Sequence, residues 1–140
     1  MGERQTQNKE ERIFYPRGSV LRVDFGDVVG REANGIRFAV VLSMNQYNMH
    51  SPNIVVAPFT KAVNRIRNGE LKILGTQHLI KKEDYPFLYM DSIVQTESLR
   101  CISKQRVKGY VGYLDSKDMN FIDKCLSTLF GLDSLLLHSV

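Results

Sequence analysis

The chain predicts a mainly β fold with helices (α+β), a small and strongly curved antiparallel sheet or open barrel with helices at one side. Three observations lead there. Several segments alternate apolar with polar residues or run apolar for four or five positions, turn-forming Gly, Asn and Pro separate them, and one stretch near the C-terminus repeats its apolar residues at helical spacing. The 140 residues, 43% of them hydrophobic, suit a single domain with one core, expected over residues 13–140.

Taken in order, residues 1–12 (MGERQTQNKEER) are too polar to bury anything and are expected to form a flexible tail. In RGSVLRVDF, Leu21, Val23 and Phe25 alternate with Arg22 and Asp24, the period of a half-buried strand. The following GDVVGREANG holds glycines and an Asn-Gly pair that accept positive φ at little cost, so it is expected to be a loop. Phe38 to Leu42 and Ile54 to Ala57 are short β-branched and apolar runs that read as central strands, joined by the polar SMNQYNMHSPN. Pro58 lacks a backbone donor and is expected to end the second run near a bulge or edge, with Thr60 just past that end.

Residues 61–82 carry Lys61, Arg65, Arg67, Lys72, Lys81 and Lys82 against the single acid Glu70, the most basic part of the chain. This stretch reads equally as a polyanion-binding segment or as a solvated loop and edge strand. MDSIVQTESLRCI and VKGYVGYL are expected to be two further strands. Met119, Ile122, Leu126 and Leu129 recur at spacings of three and four, which predicts a helix capped by Asp115 or Ser116 and closed by Gly131, with Leu132 completing the closing contact. The apolar LDSLLLHSV that follows is expected to dock on the domain or on another subunit.

Several classes of function are disfavoured by composition. No apolar run approaches the roughly 20 residues that cross a bilayer, and the N-terminus lacks the apolar stretch of a signal peptide, so a cytoplasmic protein is expected. Cys101 and Cys125 lack CxxC spacing, and His50, His78 and His138 are scattered singly, which argues against a metal centre or a disulfide framework. No cofactor is expected. A net charge of +4 and a pI near 9.1 are compatible with a polyanionic partner such as RNA but do not by themselves require one.

Four blocks in order carry a resemblance: RGSVLRVDFGDVVGREANGIRFAVVLSMNQYN, SPNIVVAPFTK, MDSIVQTESLRCISKQRV and YLDSKDMNFIDKCLSTLFGL. Over about residues 17–131 the chain resembles the MazF/PemK-like toxins. That family has an R-G-D/E-V strand, then G-x-R-P-V-V-V, then N-x-x-S-P-T-V-I-V-A-x-x-T, then D-S-V with an acidic-x-x-R, and finally a helix. The resemblance implies an SH3-like barrel of the MazF/CcdB type, a homodimer with RNA bound across its interface, and a cognate antitoxin protein that covers the RNA groove. It further implies a metal-independent endoribonuclease in which the ribose 2′-OH attacks the adjacent phosphate to leave a 2′,3′-cyclic phosphate and a 5′-OH, chemistry closed to DNA. The same barrel family contains toxins that inhibit DNA gyrase, and an inactive RNA-binding module is a further alternative.

The resemblance also assigns residues. The family's catalytic arginine follows its flexible loop in G-x-R, matched here by Gly35, Ile36 and Arg37. A guanidinium offers a rigid fork of donors to phosphate oxygens and stabilises the charge of a pentavalent transition state, whereas a surface arginine paired with Glu32 is the simpler reading. The family's catalytic threonine matches Thr60 in APFTK, a hydroxyl that donates to a phosphate oxygen or orients the nucleophile. RNA-binding roles are expected for Arg17, Asn45, Asn48 and Ser51 in the matched blocks, for Arg31 as an added phosphate contact, and, from the basic stretch rather than the resemblance, for Lys61, Arg65 and Arg67. Asn45, Asn48 and Ser51 read equally well as holding their loop. Gly35, Glu97 and Arg100 are expected to support the framework; Arg17, Glu97 and Arg100 fit the family's framework and read alternatively as members of an intramolecular ion pair. Two departures stand out: Arg31 replaces the serine that many relatives carry after Gly30, and Phe38 replaces the proline after Arg37.

Overall fold

The computed structural model describes residues 13–27, 30 and 35–132. The expected tail (1–12), Arg31, Glu32 and the apolar segment beyond Leu132 lie outside them. Among the described residues nine strands appear: β1 (Ser19–Asp24), β2 (Ile36–Val41), β3 (Asn53–Lys61), β4 (Ile66–Arg67), β5 (Glu70–Leu71), β6 (Gln77–Ile80), β7 (Ser92–Gln95), β8 (Arg100–Ser103) and β9 (Val107–Tyr113). Two α-helices accompany them among the described residues, α1 (Asn45–His50) and α2 (Ser116–Leu129). The chain forms two compact units, Met1–Pro58 with Ser98–Leu114, and Phe59–Glu97 with Asp115–Val140.

In the first unit the antiparallel order is β9, β1, β2 and β3, and β8 pairs with the first half of β3. The alternation read in β1 is realised: Leu21, Val23 and Phe25 are buried while Arg22 is exposed. These three pack with Ala39, Val41, Ile54, Val56 and Ile102 into one cluster, flanked by Tyr15 and Val107. Each of these side chains other than Ala39 contributes about 1.5–3 kcal/mol on burial, which holds the strands in one register, because a one-residue slip would turn the whole set to solvent. Among the described residues no pairing joins β8 to β9, so the ladder is open rather than a closed ring. The mostly antiparallel sheet with its C-terminal helix is thus present without barrel closure.

Two expectations are corrected here. Pro58 does not end its strand: β3 runs through it to Lys61, with Asn53–Val56 paired to β8 and Phe59–Lys61 paired to β7. Pro58 itself sits opposite Ala39 of β2, at the position where β3 exchanges β8 for β7 and a missing donor is tolerated. The segment expected as one strand in MDSIVQTESLRCI is two, β7 and β8, separated by a 3-10 turn at Thr96–Ser98.

The second unit contains the end of β3 paired with β7, β7 paired with β6, the β4–β5 hairpin and α2. The hairpin turns on Asn68 and Gly69, both at positive φ (54° and 79°), the geometry a two-residue turn needs. Helix α2 starts where expected: Asp115 is the N-cap, and its side chain accepts from the N–H of Asp118, a cap worth about 1 kcal/mol. Met119, Ile122 and Cys125 are its buried residues, and Gly131 closes it at φ 71° with a bond from its N–H to Thr128 O. Leu132 is 52% exposed and does not bury in a closing contact.

Candidate functional site

The loop after β1 is pinched at its base by two backbone bonds, Phe25 N–H to Gly35 O (2.8 Å) and Gly35 N–H to Gly26 O (3.1 Å). Gly35 has φ 67°, and a Cβ there would meet nothing within 4 Å, so it is the backbone angle and not space that calls for glycine. Two residues later Arg37 lies opposite Val23, on the same face of β2 as the core residues Ala39 and Val41. It is half-buried at the open end of that face. Phe38 points to the opposite face, across from Arg22.

Thr60 lies within β3 opposite Ile93 and is also half-buried. Its Oγ1 accepts from Asn64 Nδ2 at 3.2 Å, a bond supplied by the 3-10 turn Ala62–Arg65, which leaves the hydroxyl proton for donation elsewhere. Arg37 belongs to the first unit and Thr60 to the second.

The remaining candidates divide into those that face solvent and those engaged within the chain. Arg17 donates Nε to Leu42 O (2.7 Å), and its N–H donates to Asn45 Oδ1 (2.7 Å), so these two are brought together. Asn48 is fully buried: its Nδ2 donates to Ser43 O at 2.7 Å and its Oδ1 accepts from Ser43 Oγ, while Lys104 Nζ donates to its carbonyl at 2.6 Å. Its side chain is thus engaged within the connection between β2 and β3. Ser51 Oγ accepts from Asn53 N–H (3.0 Å) and serves the same turn. Lys61 and Arg67 are exposed; Arg67 donates to Asn64 O and Ile66 O, and Arg65 is half-buried.

Glu97 and Arg100 do not pair with each other. Glu97 accepts from Gln77 Nε2 (2.6 Å) and Thr76 Oγ1 (3.3 Å), whereas Arg100 donates Nη1 to Phe25 O (3.1 Å) with its guanidinium 5.5 Å from the Phe25 ring centre. Arg100 thus braces the loop base that presents Arg37.

Sequence reasoning passed over three further features. Lys104, 4% exposed, is a buried cation whose only sequence signal was its place in a basic run. Arg106, next to it in that run, donates Nη1 to Asp24 O at 3.1 Å. In the second unit, Asp118 takes His78 Nε2 at 2.8 Å on one oxygen and the Tyr85 hydroxyl at 2.6 Å on the other. Burial and the Asp118 hydrogen bond push the Tyr85 hydroxyl well above the ordinary tyrosine range. Among the described residues no group of three or more His, Cys, Asp or Glu side chains is placed to hold a metal ion, and no helix is long and apolar enough to cross a membrane.

Residues 16–130 match the family of PemK-like, MazF-like toxins of type II toxin-antitoxin systems. The chain is 30% identical over 122 residues to an endoribonuclease MazF of Staphylococcus saprophyticus, covering 87% of this chain and 96% of that protein. Its fold is similar to a mycobacterial endoribonuclease solved in complex with its cognate antitoxin (TM-score 0.65, 24% identity, 84% of this chain and 96% of that one). It is likewise similar to MazF from Deinococcus radiodurans (TM-score 0.67, 18% identity, 85% and 98%).

Proposed function

The chain belongs to the PemK-like, MazF-like toxin family of type II toxin-antitoxin systems, and from that membership we propose that it is an endoribonuclease toxin, cutting single-stranded messenger RNA at short sequence motifs in the cytoplasm and held inactive by a cognate antitoxin. The observation that carries the reading is the retention of both family-matched groups, Arg37 after the Gly35 pinch and Thr60 in β3, in a chain with a named endoribonuclease as its relative.

The proposed reaction is intramolecular in the RNA. The 2′-oxygen attacks the adjacent phosphorus, the bond to the 5′-oxygen breaks, and the products are a 2′,3′-cyclic phosphate and a 5′-OH. Charge accumulates on the phosphoryl oxygens as the pentavalent state forms. Arg37 meets that charge with its fork of N–H donors and acts as an electrostatic stabiliser. Thr60, its Oγ1 already oriented by Asn64, donates its proton to a phosphoryl oxygen or positions the 2′-OH. The guanidinium supplies the positive charge, so the reaction as proposed needs no metal ion.

Two partners complete the reading. A second copy of the chain forms a homodimer across which the RNA lies, and a small antitoxin covers the same groove. The exposed Lys61 and Arg67 and the half-buried Arg65 guide the RNA phosphates. The test is to incubate the purified protein with a long RNA in EDTA and identify the end groups. Fragments bearing 2′,3′-cyclic phosphate and 5′-OH are expected; intact RNA, or 5′-phosphate ends, would overturn the assignment. Light scattering at micromolar concentration is expected to report a dimer.

A further inference from the structure

A second arginine of the first unit, Arg106, stands next to the end of the ladder row that holds Arg37. In the ladder Arg37 faces Val23, and Val23 in turn faces Val107 of β9, so the three lie in one row across β2, β1 and β9. Two strand spacings separate the ends of that row, roughly 10 Å. Directly before Val107 stands Arg106, the last residue of a 3-10 turn (Lys104–Arg106), with its side chain exposed.

The Arg106 guanidinium is nevertheless held in place. Its Nη1 donates to Asp24 O (3.1 Å) and lies so close to Gly26 that a Cβ there would approach it to 3.2 Å. Arg100 donates to the next carbonyl, Phe25 O, and the same stretch is pinched to Gly35 just ahead of Arg37. The carboxylate of Asp24 accepts from the Gly26 N–H (2.8 Å), and Arg106 has no carboxylate partner among the described residues. An exposed guanidinium held by a backbone carbonyl keeps several unused N–H donors to offer a phosphodiester, with part of the entropic cost of ordering it already met.

We propose that Arg106 is a second RNA-phosphate-binding residue, which holds the strand beside the phosphate presented to Arg37 and is itself oriented by the Asp24–Gly26 turn. It is a positioning residue: it acts on where the strand lies and not on the bond that breaks. The proposal rests on the ribonuclease reading and adds to it a contact that fixes the path of the RNA towards β9.

The experiment compares Arg106→Gln and Arg106→Lys with the unaltered protein, using a long RNA. In the cleavage assay Arg106→Gln is expected to raise KM about tenfold with kcat within about twofold, and Arg106→Lys to restore part of the loss, because it returns the charge but not the anchored fork. Binding is measured in an Arg37→Gln background so that the RNA survives. There, adding Arg106→Gln should make the log–log salt dependence shallower by roughly 0.7, the contribution of one phosphate on a single strand. An unchanged KM and salt slope in a protein that cleaves RNA normally would overturn the role of Arg106 alone. A defect that Arg106→Lys fails to restore, with the salt slope unchanged, would also overturn it and make the residue a brace for the turn. If the unaltered protein neither binds nor cuts RNA, the ribonuclease reading fails and this role falls with it.

Discussion

The hydroxyl of Tyr85 donates to Oδ2 of Asp118 at 2.6 Å while accepting from the backbone N–H of Asp115 at 3.0 Å. Since Asp115 also caps α2 by accepting from the Asp118 N–H, the tyrosine closes a ring of hydrogen bonds around the first turn of the helix. His78 fixes the other oxygen of Asp118 and stacks on Phe121 one turn further along. The start of α2 is therefore anchored to β6 and to the Tyr85 segment by polar contacts, and its buried face follows with Met119, Ile122 and Cys125.

The raised pKa of Tyr85 makes this anchor pH-dependent in a defined direction. Burial and the hydrogen bond to Asp118 both disfavour the phenolate in the folded state. The unfolded chain ionises near pH 10, so the stabilisation is complete below that value and declines above it, by at most about 1.4 kcal/mol per pH unit. Tyr85→Phe should cost about 1–2 kcal/mol at pH 7, through the two lost hydrogen bonds, and should flatten the decline between pH 10 and 11. Urea unfolding at several pH values checks this; equal slopes for both proteins would show that the tyrosine does not report on the anchor.

The two cysteines should react at very different rates. Cys125 is buried on α2, with its thiol directed to Gln77 O at 3.5 Å, and burial followed by the charge of Glu97 pushes its pKa up. Cys101 is exposed on β8. Brief iodoacetamide treatment at pH 8 should add one group, on Cys101, and reach Cys125 only after denaturation. Mass spectrometry showing equal labelling of the native protein would contradict the packing of α2.

What could be read from the sequence was what local chemistry dictates. The alternation of Leu21, Val23 and Phe25, the helical spacing of Met119 and Ile122, the cap at Asp115 and the positive φ of Gly35 all follow from period or from backbone freedom. What escaped depends on distant partners. Asn48 read equally as an RNA contact or as a residue holding its loop; it is buried, and Ser43 and Lys104, the latter 56 positions away, satisfy it. Strand β3 continues through Pro58 because β8 and β7 succeed each other as its neighbours, which no local pattern encodes. The Asn68-Gly69 hairpin did carry a local signal, masked by reading residues 61–82 only for charge.

Arg37→Gln should separate chemistry from binding. The substitution keeps much of the stem and removes the guanidinium, so the β1–β2 ladder and its core cluster should persist. Cleavage at saturating RNA should drop on the order of 100-fold or more, as expected on losing a donor that acts mainly in the transition state. Full activity in a folded Arg37→Gln protein would remove this residue from the mechanism.

Thr60→Val preserves shape and deletes the hydroxyl that Asn64 orients. A fall in kcat of similar or somewhat smaller size than for Arg37→Gln is expected, with the thermal midpoint little changed because the position is only half-buried. Should KM alone change, Thr60 would be a binding residue.

The last prediction concerns the charges that immediately follow Thr60. Lys61 ends β3 beside Ser92, and Arg67 lies on the β4–β5 hairpin; both are exposed and in the same unit as Thr60. Glu70, the one acid of the segment, is paired with Lys72 at 2.8 Å and so leaves Lys61 and Arg67 without a counter-charge from it. If RNA passes over this segment, each cation releases counterions from a phosphate, and Lys61→Gln with Arg67→Gln should flatten the log–log salt dependence of binding by roughly one to two units. Phosphate contacts carry no base information, so the preferred cleavage motif should stay the same while affinity falls across all sequences. Arg37→Gln should do the reverse, lowering the rate at saturating RNA with only a small change in salt slope. An unchanged slope in the double variant would mean that these cations serve only to keep the hairpin solvated.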